Sequence, residues 1–198
     1  METWIVIVEW LARLILFILV ALSVWSISII IDRRKKLKEL TTLAEDNQVW
    51  DLIKSHDLEA IKKISANSSL RGETLKICFD LKTSEQIDRG VSSFLQRKKK
   101  ELETGLAVLG TLGSTTPFIG LLGTILGIIV AFGALSTGKI DSQKIMYALA
   151  EALILTAVGL AVAIPAVIAF NTFTKKLNAI LKDCENLKDQ YIAYILGK

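Results

Sequence analysis

One carboxylate stands alone in a long apolar stretch. Glu151 is the only charged residue between Lys144 and Lys175. An ionised carboxylate surrounded by hydrocarbon costs at least a few kcal/mol, so this side chain must face protein or water. No basic residue in 105–135 or 145–173 is available to neutralise it. A carboxylate so placed is suited to taking up and releasing protons. The plainer account is a neutral acid hydrogen-bonded to a neighbouring hydroxyl. Hydroxyls are abundant upstream, where the run Gly110-Thr111-Leu112-Gly113-Ser114-Thr115-Thr116-Pro117-Phe118-Ile119-Gly120-Leu121-Leu122-Gly123-Thr124-Ile125-Leu126-Gly127 is rich in small and hydroxylated residues. Gly123 and Gly127 form a GxxxG pair with Gly120 one turn before, and Gly159 adds a small residue to the later stretch. Small residues at this spacing let helices approach closely. Close packing explains the glycines, but it accounts less easily for the serines and threonines.

The elements that must position these groups follow from the distribution of charge. Of 24 lysines and arginines, 21 fall in 32–104 and 171–198, and no charged residue lies between Thr104 and Lys139. About 18 apolar residues suffice to cross a hydrocarbon core roughly 30 Å thick. Three segments, about 4–31, 105–135 and 145–173, meet that length. The basic clusters Arg33-Arg34-Lys35-Lys36, Arg97-Lys98-Lys99-Lys100 and Lys175-Lys176 sit where these segments end or begin. Nucleic-acid or anionic-lipid binding is one reading of such clusters. Retention of positive charge in the cytoplasm explains all three with one topology. That topology predicts an all-α integral membrane protein with a periplasmic N-terminus. It has a first span over 1–31, a cytoplasmic helical domain over 32–104 and a second span over 105–135. A periplasmic loop (136–144), a third span (145–173) and a cytoplasmic helical tail (174–198) follow.

The N-terminal segment reads as a retained anchor, because it lacks a basic start and a small-residue cleavage site. Trp4 and Trp10 suit an outer interface, and Glu9 and Arg13, one helical turn apart, can pair. Cys78 and Cys184 have no metal-ligand spacing and would both be cytoplasmic, which argues against a structural disulfide. His56, the single histidine, reads as a solvated side chain. The composition therefore predicts no metal, no cofactor and no nucleic-acid partner, and no nucleophile–base pair marks an enzyme.

Residues 37–104 carry apolar stripes at helical spacing, Leu37, Leu40, Leu43 and Ala44 in one and Val91, Phe94 and Leu95 in another. They predict a small helical bundle continuous with the spans, with a turn near Asn67-Ser68-Ser69 and Gly72. In the tail, Leu177, Ile180, Cys184, Leu187, Tyr191 and Tyr194 make a heptad-like seam, which fits packing on the chain's own helices or contact between subunits. Pro117 and Pro165 each remove a backbone hydrogen bond within a span; neighbouring helices or hydroxyl side chains can satisfy the freed carbonyl. If the second and third spans are antiparallel about a turn near residue 140, positions summing to about 280 share a depth. Thr124 then faces Thr156, and Gly123 lies opposite Ala157. Glu151 and Thr156 point roughly 140° apart on their helix, so a polar layer is expected but not a straight file of ligands.

The stretch from Gly113 through Ile128 resembles the second-span motif of the ExbB/TolQ/MotA proton-channel family. Ala150-Glu151-Ala152-Leu153, continued from Thr156 through Val167 to Asn171, resembles the third. The likeness is strongest to the ExbB/TolQ branch and covers about a third of the chain. It implies a bacterial inner-membrane protein that assembles as a ring, a homopentamer, around the helices of two copies of an ExbD/TolR-like partner. Glu151, Thr156 and Thr124 would line or adjoin the proton route. A TonB- or TolA-like protein would carry the work to the outer membrane, and membrane lipids would surround the ring. The short cytoplasmic segment disfavours the four-span MotA type. An ExbB-type role in TonB-dependent transport is the leading expectation, with a TolQ-type role in outer-membrane integrity and cell division, and relatives that power surface motility, beside it. Two further rivals are a non-conducting oligomeric scaffold and a small secondary transporter; the latter is disfavoured by three spans without an inverted repeat.

Overall fold

A computed structural model describes residues 2–41, 59, 69–136 and 142–196. His56, Leu43, Ala44, Asn67, Ser68 and residues 137–141 of the expected outer loop lie outside the described residues, as do the side chains of Trp4, Leu40 and Lys144. The regular structure among the described residues is all helical: α1 (Glu2–Thr41), α2 (Leu70–Asp80), α3 (Ser84–Ser136) and α4 (Ser142–Tyr191), closed by a π-helical turn at Ile192–Leu196. Three of these helices are long and apolar enough to cross a membrane, and at most 33% of their most apolar windows is buried within the chain itself. Side chains such as Phe17, Val24, Phe118 and Leu153 are therefore left to lipid or to other chains. Soluble proteins rarely expose so much contiguous apolar surface.

Two compact units emerge, dividing at Ile31/Asp32, Leu106/Ala107 and Asn171/Thr172. The first comprises Met1–Ile31 and Ala107–Asn171. In it the α3 and α4 segments run antiparallel. Ile15 and Leu19 of α1 pack with Leu155 of α4, flanked by Ala12, Ile119, Leu126 and Val158. Pro117 and Pro165 both lie inside continuous helices. Proline is tolerated inside membrane helices, where neighbouring groups can satisfy the freed carbonyl.

The second unit comprises Asp32–Leu106 and Thr172–Lys198. Its α2 helix starts at Ser69, whose extended backbone and side-chain oxygen cap the first turn by accepting from the Gly72 amide at 3.0 Å. That bond satisfies one of the donors a helix start leaves open. Gly72 thus belongs to the first turn of α2 and not to the interhelical turn expected around it. The core joins Leu75 and Cys78 of α2, Ile87, Val91 and Leu95 of α3, and Leu177, Ile180, Cys184, Leu187 and Tyr191 of α4. The tail seam accordingly packs on the chain's own helices, while Tyr194 at its end stays 42% exposed. Phe79 meets Tyr191 edge-on at 5.5 Å. Two ion pairs tie α4 into the unit: Arg71 with Asp183, and Lys188 with Asp88.

Candidate functional site

The α3–α4 interface is a ladder of close approaches that positions two hydroxyls. A Cβ built on Gly120 would lie 2.7 Å from the Leu155 carbonyl oxygen and 3.2 Å from the Gly159 Cα. One built on Gly159 would lie 2.7 Å from the Thr116 carbonyl oxygen. These obstacles are backbone atoms, so no rotamer change makes room. Gly127 is tight against Ala152 and Gly113 against Val167. The helices therefore touch at backbone distance along several turns, as small residues allow in lipid. Gly123 departs from the depth count: it packs against Leu155 and not Ala157, because counting from a turn gives depth but not the direction a side chain points.

Within this ladder the Thr124 and Thr156 hydroxyls lie 3.2 Å apart. Thr124 also donates to the Leu121 carbonyl at 2.7 Å. A hydroxyl has one hydrogen to donate, so in this arrangement Thr156 donates to Thr124. The result is a short directional chain from α4 to α3 to the backbone. Turning the rotors lets Thr124 donate to Thr156 instead, at the cost of its bond to the Leu121 carbonyl.

The other hydroxyls of the 110–127 run are spent locally. Thr111, Ser114, Thr115 and Thr116 bond to carbonyls three or four residues earlier in α3, the usual way a helix absorbs serine and threonine. Their density thus has a structural explanation, and the crossing bond at Thr124–Thr156 is set apart from it. None of the acceptors is the Gly113 carbonyl, which Pro117 deprives of its usual donor.

Glu151 lies on another face of α4 from Thr156. It lines a cavity of about 80 Å³ together with Gly127 and Val130 of α3, Ala148 and Ala152 of α4, and Glu9 and Arg13 of α1. Arg13 donates to Glu9 at 2.8 Å, and its guanidinium stands 5.9 Å from the centre of the Trp10 ring. The structure thus brings Thr124 and Thr156 together and places Glu151 apart from them, beside charges of the first span. Sequence reasoning paired Glu9 with Arg13 but did not bring that pair to Glu151. Spacing along one helix carries no information about which face of another helix it meets. Among the described residues, no cluster of three or more His, Cys, Asp or Glu is placed to hold a metal ion.

A sequence profile of the MotA/TolQ/ExbB proton channel family matches residues 57–186. The chain belongs to that family. The match runs through the second unit as well as the second and third spans. Among curated relatives, the biopolymer transport protein ExbB of Xanthomonas campestris pv. campestris is 38% identical over 128 residues, 63% of this chain and 49% of that protein. The Tol-Pal system protein TolQ of Haemophilus influenzae is 32% identical over 201 residues, 90% of this chain and 86% of that protein. A putative biopolymer transport protein, ExbB-like 2, of Helicobacter pylori is 44% identical over 89 residues, 43% of this chain and 59% of that protein. The chain thus spans about half the length of the Xanthomonas relative and most of the Haemophilus one. With its three long apolar helices, it is a multi-pass membrane protein of this family.

Proposed function

We propose that this protein is the proton-channel subunit of an inner-membrane motor driven by the proton-motive force. The observation that carries the reading is the hydroxyl contact at 3.2 Å between Thr124 and Thr156, held by backbone-tight packing in a protein of a proton channel family. The N-terminus and the 136–144 loop face the periplasm, and 32–104 with the tail faces the cytoplasm, as the basic clusters favour. The chains form a homopentamer around paired helices of an ExbD/TolR-like partner. Protons enter from the outer side, neutralise a carboxylate of the partner and leave to the cytoplasm. The cycle moves the partner helices, and a TonB- or TolA-like protein transmits the work. Glu151, Thr156 and Thr124 lie on or beside the route.

An ExbB-type role in transport across the outer membrane is the first reading. Collinearity with a TolQ protein over 90% of the chain favours a TolQ-type role as the second. Proton flux into vesicles holding this chain with its partner tests the shared part. Partner-dependent flux that falls severalfold in Glu151→Gln, with the complex intact, supports the reading. Unchanged flux removes Glu151 from the route, and no flux from an intact native complex leaves an oligomeric scaffold. Complementation of strains lacking either system separates the two roles.

A further inference from the structure

Residues 3–31, 107–136 and 145–171 of the first unit contain three charged side chains, Glu9, Arg13 and Glu151. All three line the same cavity, although they come from two different helices. Charged groups scattered on lipid-facing helices would have no reason to converge, and their cost in hydrocarbon gives every reason to share one wet site. The volume, about 80 Å³, exceeds several times the roughly 10–15 Å³ of such space that one water needs. Carboxylate and guanidinium groups supply the polar partners a water requires.

Depth can be counted along the helices. From Leu14 to Ile31 there are 18 uncharged residues, about 27 Å at 1.5 Å per residue. From Ala152 to Thr174 there are 23, about 35 Å. The longer run covers a hydrocarbon core of about 30 Å and the shorter comes within about 3 Å of it, which puts the Glu9–Arg13 pair and Glu151 at the outer rim. Thr156 lies five residues further along α4, about 7–8 Å deeper. The cavity therefore comes first on a path inward, and the hydroxyl pair second.

We propose that the first span takes part in the proton route: Glu9 and Arg13 wall an aqueous antechamber in which protons collect at Glu151 before moving inward, with Arg13 a positioning residue that holds the Glu9 carboxylate on the cavity. The inference rests on the proton-conducting reading above. In the step it describes, a hydronium ion gives one proton to a carboxylate oxygen, leaving water and a neutral acid. The reverse transfer restores the carboxylate.

The test uses the complete complex with its partner in vesicles, comparing native chain, Glu9→Gln, Arg13→Gln, the exchange Glu9→Arg with Arg13→Glu, and Glu151→Gln. Glu9→Gln and Arg13→Gln are each expected to lower partner-dependent flux about tenfold, and the exchange to keep at least half of it. Full flux in both single variants, with Glu151→Gln impaired, overturns this inference and spares the proton-channel reading. Full flux in Glu151→Gln overturns the assignment of Glu151 whatever the first span does, and with it this inference. Water access is read separately, with Ala148→Cys in a background of Cys78→Ser and Cys184→Ser. A membrane-impermeant cationic thiol reagent added outside is expected to label it, severalfold more slowly once Glu9→Gln removes the carboxylate. An unreactive thiol at 148, while Ser142→Cys reacts, overturns the antechamber; so does a rate that Glu9→Gln leaves unchanged.

Discussion

Substituting Gly120 by alanine tests whether the close approach of α3 and α4 is what holds the hydroxyl pair. The new methyl would sit 2.7 Å from the Leu155 carbonyl oxygen, 3.1 Å from the Thr156 Cα and 3.2 Å from the Gly159 Cα. Ordinary contact is about 3.5–4.0 Å, so the helices must part by roughly 1 Å. The Thr124–Thr156 separation of 3.2 Å then grows to about 4 Å, beyond hydrogen-bonding range. Overpacking of this kind costs about 1–3 kcal/mol, and the lost interhelical hydroxyl bond about 0.6 kcal/mol more. A total of about 2.6 kcal/mol lowers Tm by about 5–10 °C for a chain of this length. Thermal unfolding in detergent measures it, with Gly110→Ala as the control. The nearest atoms to a methyl at Gly110 are those of the Phe170 ring, from 3.3 Å, and a ring can tilt away. Thr156→Val is expected to become nearly silent in the Gly120→Ala background, because its partner is already out of reach. A Gly120→Ala protein as stable as Gly110→Ala, or one in which Thr156→Val still costs its full amount, refutes the reasoning.

Three further outcomes follow from the same structure. Thr124→Val and Thr156→Val each leave the fold intact, with a coupling of about 0.6 kcal/mol in a double-mutant cycle of unfolding; additive effects would deny the bond. Asp183→Ala strands the Arg71 guanidinium, whose side chain is 9% exposed, and is expected to cost about 3 kcal/mol in denaturant unfolding. Asp88→Ala is expected to cost less, since Asp88 is 58% exposed and Lys188 keeps Asp189 at 3.2 Å; equal costs would contradict the burial argument. Burial pushes the Cys78 thiol up to about 12, against a smaller opposing pull from Lys188. At pH 8 only about one thiol in ten thousand is then the reactive thiolate. Alkylation of Cys78 in a Cys184→Ser chain is expected only after unfolding, and rapid labelling of the native protein at pH 8 contradicts this.

What could be read from the sequence depended on whether the signal ran along one helix or between two. The three membrane-length helices, the continuation of the second span back into charged sequence and the Glu9–Arg13 pair are properties of single helices, and periodicity with charge carries them. The motifs at 113–128 and 150–171 pointed to the family to which the chain belongs. Depth across the α3–α4 pair was also countable, since an antiparallel hairpin fixes it to within a residue or so; Thr124 and Thr156 meet on that count. Azimuth was not, which is why Gly123 packs on Leu155 and not Ala157. The tail seam shows the same limit. Its periodicity defines an apolar face of α4, but whether that face met the chain's own helices or another subunit was settled only by the contacts of Tyr191 with Phe79 and of Lys188 with Asp88.

The two faces of α4 define what a route through this unit must do. Thr156 points to α3, where the Gly120–Gly159 approach leaves no room for water between the backbones. Glu151 lies on another face, exposed within the single chain and lining a cavity shared with α1. On the proposed reading, a proton taken up at the cavity has no straight file of side chains to follow inward. Gly127 and Ala152 line that cavity and also close the α3–α4 contact one turn from the hydroxyl pair. On the proposal above, they form the boundary between the aqueous cavity and the closely packed seam. A route that stays within the first unit must cross there; otherwise, in the proposed ring, it leaves the cavity toward a neighbouring chain and uses the threonines only to polarise the seam. The Thr124–Thr156 contact decides between these courses, because a relay requires the two hydroxyls to reverse direction with each proton, whereas a polarising pair keeps Thr156 as donor throughout. The first course makes Thr124→Val as damaging to flux as Glu151→Gln; the second leaves it mild.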